Sequence, residues 1–340
     1  MSAEGVEKYL GQILSSDSTN IKNIENIRNK GIGIQNKITQ ILATVSAGKY
    51  HFEMAVILRN SLLISSILAS SEVWYGVTLS DIAKLEQVDE MLWINILECS
   101  SSIPRELLYL ELGILRIRDI IITRRLMFLH HLLHQNKEAL VHKFFLAQMK
   151  FPTFNDWTSQ VIKDMEDIQL TLEFCDISKM SKEKYKLIVN KCVLRKSFQE
   201  LLLKKESRKS ENARGKNIIY EDLSMQAYLM ETDISISLDE RKWLFKSRTD
   251  DIDIRGNFKW KHEIFTCISC KENIPENTEH LLCCPILIGK NEIISYIPEY
   301  KELFSDIIEE QVYVSRILKE NFLRRKTFLP NGPCDLDPLP

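Results

Sequence analysis

Four residues near the end of the chain have the types and spacing of a metal site. Cys267 and Cys270 form a Cys-x2-Cys pair, and His280 and Cys284 follow at positions four apart. A Cys-x2-Cys pair sets two sulfurs on one tight turn. A His and a Cys at i and i+4 can face them from one side of a helix. Three thiolates and an imidazole suit tetrahedral zinc, which takes sulfur and nitrogen ligands. Cys283 competes for the fourth place, but Cys284 is preferred because of the shared helical face. The step Asn277-Thr278-Glu279-His280 reads as a turn entering that helix. The expected cofactor is therefore zinc, which supplies folding energy that so small a module cannot gather from apolar burial.

Other candidate chemistry is weaker. His130 and His134 could share a metal at i, i+4, yet His131, Leu132 and Leu133 lie between them, without the Glu of a zinc protease. They read as surface or groove-facing residues. Asp250-Asp251 follows Arg248-Thr249 and reads as a solvated helix end. No Gly-rich phosphate loop and no Ser-His-Asp constellation stands out.

Basic residues form a second pattern. The 340 residues carry a net charge of −2, which by itself points to no partner. Between Lys179 and Lys216, however, thirteen Lys and Arg face four Glu, a local net of +9. Such a block can contact phosphates in a chain that is nearly neutral overall. Within it Lys204, Lys205, Arg208 and Lys209 are candidate nucleic-acid contacts. Arg116, Arg118, Arg124 and Arg125 form a second candidate set, suited to bidentate phosphate binding. Lys259 and Lys261, interleaved with Phe258 and Trp260 just before the Cys pair, form a third.

The elements that must position these residues read as helices. Apolar residues make up 44% of the chain and charged residues 27%, an ordinary globular balance, and 11 Gly and 9 Pro are too few for a turn-rich all-β fold. Val6 to Leu14 reads as one short strand. Helical periodicity follows from Asn20, broken at Gly31 and Gly33, and resumes over Ile34 to Val45. Phe52 to Ser71 is a further helix, too polar at Arg59 and Asn60 to cross a membrane. Asp81 is the expected N-cap of a helix with Ile82, Leu85, Val88, Leu92 and Ile96 inside and Lys84, Glu86 and Asp89 outside. Pro104 opens Arg105 to Leu112 and Gly113 stops it. Two helices over Arg118 to Phe145, one over Trp157 to Phe174, a basic one over Ser181 to Lys209 and one over Leu238 to Arg248 complete the series, with a closing helical segment from Glu299 to Arg325. Cys175 and Cys192 adjoin apolar residues and read as core. The fold class is mainly α: a helical bundle with one short N-terminal strand, a basic helical middle and a small C-terminal knuckle. The segments are divided as 1–19, 20–150, 151–237, 238–329 and a frayed tail, 330–340.

The same residues resemble a family. Lys8-Tyr9-Leu10-Gly11 is similar to the strand after the catalytic palm in reverse transcriptases of non-LTR (LINE-type) retrotransposons. Ser70-Ser71-Glu72-Val73-Trp74-Tyr75, Pro104 to Gly113 and Arg124-Arg125-Leu-Met-Phe-Leu129 resemble the thumb helices that follow it. Leu244 to Arg248, Asn257-Phe258, the Cys267 knuckle and His280-Leu-Leu-Cys-Cys284-Pro285 resemble the C-terminal zinc region. The resemblance spans about Val6 to Arg325. It implies a thumb-like bundle that holds a template–primer, with RNA and DNA as partners and no small-molecule substrate. Family polymerases carry a Tyr/Phe-x-Asp-Asp hairpin upstream of the strand, which this chain does not show, so no catalytic residue is expected. Pro298-Glu299 and Lys301 read as solvent-facing charges, although some family members place a nuclease in this region. The competing expectation is a protein–protein scaffold, or the product of a decayed element without activity. No apolar stretch follows Met1, and eight irregularly spaced Cys point to a reducing compartment, so the expected location is nuclear or cytoplasmic, neither secreted nor membrane-bound.

Overall fold

Val6–Tyr9 (β1) and Gln12–Ser15 (β2) pair antiparallel, with Val6 opposite Ser15 and Tyr9 opposite Gln12. The single strand expected over this stretch is thus two, and the apolar run that suggested one strand is interrupted at Gly11 in the sequence. Among the described residues everything else regular is helical. The computed structural model describes residues 6–9, 12–15, 21–45, 50–74, 76–151, 156–208, 215–230, 236–254, 257, 266–270, 272–289 and 296–328, with side chains from 23 onward. Lys209, Phe258 to Lys261, Tyr75, Pro152-Thr153, Leu10-Gly11 and the 330–340 tail lie outside them.

The helices run in chain order as α1 (Ile21–Thr44), α2 (His51–Leu58), α3 (Ser65–Ile67), α4 (Leu79–Leu97), α5 (Arg105–Leu112), α6 (Ile117–Leu133), α7 (Leu140–Lys150) and α8 (Trp157–Asp167). There follow α9 (Phe174–Ile177), α10 (Lys182–Glu206), α11 (Ala227–Met230), α12 (Leu238–Arg248), α13 (Thr278–Cys283), α14 (Pro285–Ile288) and α15 (Ile308–Arg325). A π-helical stretch, Arg59–Ile64, joins α2 to α3 without a break. The expected helix over Trp157 to Phe174 stops at Asp167, and Phe174 starts the separate α9. Cys175 is exposed there, not in the core, because α9 is a four-residue turn that buries only Ile177.

Helix ends follow local chemistry. Ser181 and Ser237 cap α10 and α12 through their hydroxyls. Gly113 ends α5 at φ 60°, where a Cβ would strike the backbone of Ser224 and Met225. The cap of α4 differs from expectation. Thr78 is the N-cap, and Asp81 sits three residues on, completing a capping box. Asp89, expected outside the α4 stripe, is buried and meets Arg59.

Gly31 does not interrupt α1. The helix runs through it, since the missing side chain lets α1 approach its neighbours: a Cβ there would lie 3.0 Å from Ile67 and 3.1 Å from Val88. Gly33 faces open space. Gly31→Val should therefore destabilise by about 1–3 kcal/mol through overpacking. Gly33→Ala should stabilise by about 0.5–1 kcal/mol, the ordinary helix-interior gain. Denaturant melts of the two variants check this contrast, and a Gly31→Val protein as stable as the parent would contradict the close approach.

Apolar side chains gather in two clusters. The first joins α1 to α5 with Leu201 of α10 and with α12, α13 and α15. The second joins Ile122, Leu126 and Leu129 of α6 with Phe145, Trp157, Val161 and the Tyr185–Val193 side of α10. Packing therefore runs across residues 151 and 238, and α10 buries side chains in both clusters.

Candidate metal centre and basic surface

The Cys267 loop is folded tightly. The Cys267 N–H donates to the Ile274 carbonyl at 3.0 Å, and Thr266 bridges to Pro275. Residues 268 to 270 form the turn between the two sulfurs. Asn277 then caps α13, its side-chain oxygen accepting from the His280 N–H at 2.8 Å. This cap fixes His280 in the first turn of α13, as the sequence suggests.

The four ligand atoms of Cys267, Cys270, His280 and Cys284 lie within 4.8 Å of one another. Sγ of Cys267 is 3.9 Å from Sγ of Cys284, and Sγ of Cys270 is 3.5 Å from Nε2 of His280. A tetrahedron with sulfur arms of about 2.3 Å has edges of about 3.8 Å, so both distances suit a four-coordinate ion. The group could hold a metal ion. Cys283 is exposed and outside the cluster. The reason Cys284 qualifies is not the expected i, i+4 face of one helix. α13 ends at Cys283, and Cys284 stands at the joint before α14, with φ −60° and ψ 118°.

One of the three thiols is poised to ionise. Burial pushes the Cys284 thiol up to about 12, and burial also raises Cys270. Burial opposes ionisation of Cys267 too, but the His280 ring and the N–H groups of Cys270 and Ser269 outweigh it and bring Cys267 down to about 6. One thiolate is thus favoured beside an imidazole, and a divalent ion would draw out the other two protons.

Behind the cluster lies a support that sequence spacing did not reveal. Glu276 is buried and takes both oxygens to Arg325 of α15, at 2.8 and 2.7 Å. Asn321, also on α15, donates to the Leu281 carbonyl at 3.0 Å. Cys267, Leu281, Leu282 and Cys284 belong to the first apolar cluster, so the knuckle is seated on the main core. Nothing in Pro275-Glu276-Asn277 marks that glutamate as buried. Only the cysteine spacing carried a signal.

The arginines expected to face a nucleic-acid backbone are engaged with the protein. Arg116 is buried between Asp119 at 2.9 Å and Glu200 at 2.6 Å. Arg125 is buried against Asp164 and donates to the Trp74 carbonyl at 3.2 Å. Arg118 pairs with Asp167 at 2.9 Å, and Arg124 donates to the Leu68 carbonyl. Of the basic block, Arg208 pairs with Glu106, and Lys205 reaches the Lys216 carbonyl and lies over the Tyr220 ring. Lys204 is exposed. Lys209, Lys259 and Lys261 lie outside the described residues.

His130, His131 and His134 line a groove with Phe128, Met180 and Lys182. Their rings do not converge on an ion site: those of His130 and His134 stack with centroids 4.0 Å apart, and His130 Nε2 meets the Met180 carbonyl at 3.0 Å. The Asp250-Asp251 pair ends α12 but is not solvated. Asp250 accepts from Gly215 N–H and Tyr300 O–H, and buried Asp251 accepts from Ser100 N–H at 2.6 Å. Both carboxylates tie distant loops to the end of α12. Glu299 pairs with Lys301 at the surface.

No protein-family model matches this chain, and no curated protein or solved structure is found similar to it. Among the described residues, no helix is long and apolar enough to cross a membrane.

Proposed function

We propose that this chain is a non-catalytic, nucleic-acid-binding C-terminal portion of a LINE-type reverse transcriptase, and that its Cys/His cluster binds zinc. Its partners would be RNA and DNA, held by the helical bundle, and its compartment the nucleus or cytoplasm. The observation that supports nucleic-acid binding is the outward face of α10. Lys182, Lys184, Lys186, Lys191, Arg195 and Lys204 are exposed there, and none forms an ion pair with a described residue. Lys184, Lys191 and Arg195 share one face along about 16 Å of helix. That is a stripe of positive charge without an ion-pair partner among the described residues, whose other arginines are largely matched.

Titration with generic RNA and DNA tests this reading. With roughly six cations on phosphates, the log–log salt slope should be about −4 to −5. Replacing Lys184, Lys191 and Arg195 by Glu should weaken binding uniformly across sequences and flatten that slope by about 3. Absence of binding at about 50 mM salt rejects the reading, and unchanged affinity in the triple variant removes α10 from it.

A second reading, an interaction scaffold, is favoured by α7, which leaves Leu140, Val141, Phe144 and Leu146 exposed on one short helix. Association through that face would persist or tighten as salt rises, opposite to phosphate contacts.

A further inference from the structure

A groove of about 810 Å³ lies between α6, from Thr123 onward, and the start of α10, with Glu72 in its wall. That volume is within the range of small-ligand sites. Three imidazoles line it, and two of them have a nitrogen spent inside the protein. Nε2 of His130 donates to the Met180 carbonyl at 3.0 Å, and Nδ1 of His134 donates to the His130 carbonyl at 2.8 Å. These bonds fix the rings. Tyr185, His130 and His134 stack in series, with centroids 5.2 and 4.0 Å apart and neighbouring planes within 23°. The series begins at Tyr185, which is fully buried, and ends at His134, which is exposed. A second stack, His131 on Phe128 at 5.9 Å, also lines the groove.

A series of rings that stops at an exposed, fixed ring is a platform for one more ring. Met127 and Met180, flexible and polarizable, can adapt to rings of different size. The polar groups suit a nucleobase better than a phosphate or a hydrocarbon. Glu72 offers a carboxylate and Arg124 a guanidinium, and while burial opposes the Arg124 charge, Glu72 supports it. An acceptor and a donor together match the mixed edge of a base. A phosphate would meet the Glu72 charge, and a hydrocarbon would satisfy neither group. With Glu72 set against Arg124, Lys182 remains. It is exposed, forms no ion pair with a described residue, and its neighbour Glu183 is not in the lining. Lys184 and Lys186 follow within a turn of α10, so phosphates on either side of a base in the groove can meet cations.

We propose that this groove takes an unpaired nucleobase, stacked on His134, so that the nucleic acid is held here as a single strand. The proposal rests on the nucleic-acid reading of α10 and adds to it the form of the ligand. A paired base is already stacked on its neighbours and cannot enter, whereas a base of a single strand can be splayed out onto an aromatic ring.

Fluorescence anisotropy on the full chain, with a labelled oligouridylate of roughly ten nucleotides and an RNA duplex of equal length, tests it. His134→Ala should weaken the single strand by about fivefold or more, the least expected from loss of one stacked base, and should change duplex affinity by less than about twofold. His134→Tyr, which keeps a ring, should restore single-strand binding. Irradiation of the same strand carrying thiolated uracils should cross-link within residues 123–134 or 180–182, a readout that needs no variant. Unchanged single-strand affinity in His134→Ala, equal losses for strand and duplex, or cross-links confined to other segments overturn the groove assignment and leave binding by α10 standing. Absence of binding by both probes at about 50 mM salt overturns the underlying reading as well.

Discussion

Purified protein should carry about one equivalent of zinc, and Cys267→Ser or His280→Ala should lose it together with the ordered packing of α15. The expected effect is large because the cluster is not an appendage. Zinc binding in finger peptides contributes roughly 10–16 kcal/mol that appears as folding free energy. Here that energy would act on a loop joined to α15 by the Glu276–Arg325 pair and the Asn321–Leu281 hydrogen bond. Without the ion, the Cys284 and Cys270 thiols stay protonated, and the turn is left to its Cys267–Ile274 and Thr266–Pro275 backbone contacts and its two ties to α15. Loss of the loop would leave Arg325, buried and ionised, facing a mobile Glu276. Metal analysis, thermal melting and hydrogen exchange across α15 should change together. Cys283→Ser is the control: it should retain both metal and melting temperature, because that thiol is exposed. A protein that purifies metal-free with α15 fully protected contradicts the assignment.

Asp89→Leu should cost about 3–5 kcal/mol, more than the double variant Arg59→Met/Asp89→Leu. Arg59 and Asp89 are 2% and 0% exposed in side chain and meet through two hydrogen bonds of 2.6 Å. Burial works against the Arg59 charge, but Asp89 more than offsets this and holds the guanidinium further into its charged form. Removing the carboxylate alone leaves that cation in the middle of the α1–α4 core. Removing both replaces an ion pair with apolar volume, which is often neutral or stabilising. One residue of the cost survives in the double variant: the Leu115 carbonyl, which accepts from Arg59 at 2.9 Å, loses its donor. A denaturant double-mutant cycle measures the coupling, and simple additivity of the two single losses would show that the pair is not acting as a unit.

What the sequence made legible was local. The Cys-x2-Cys turn, the turn at Asn277 entering a helix and the Pro104-to-Gly113 helix each depend on residues a few positions apart, and each is found where its pattern points. Periodicity also placed the buried apolar positions Leu85, Val88, Leu92 and Ile96 of α4. What remained hidden was long-range. Glu276 finds Arg325 across 49 positions and Arg59 finds Asp89 across 30. Glu111 is fully buried and accepts from Tyr220 at 2.8 Å and Tyr228 at 2.7 Å, more than a hundred residues away, with Arg248 beside it. A charged side chain on an amphipathic helix is normally outside, and no short pattern tells which one has a distant partner that lets it go in. Arg116, Arg125 and Asp89 were placed on the surface for that reason. Gly31 shows the same limit from the other side: a glycine that looks like a break is a contact once Ile67 and Val88 are known to lie against it.

The first apolar cluster reaches from Ile24 in α1 to Leu318 in α15. A chain emerging residue by residue from a ribosome cannot finish that core until α15 has been made, so the faces that α12, α13 and α15 cover stay open until late in synthesis. Contacts so distant in sequence also slow the search in refolding from denaturant, whereas the second cluster, confined to residues 122–193, can close much earlier. Completion of the two clusters is thereby staggered: the α6–α10 cluster can close before the C-terminal helices exist, and the first cluster closes only with them.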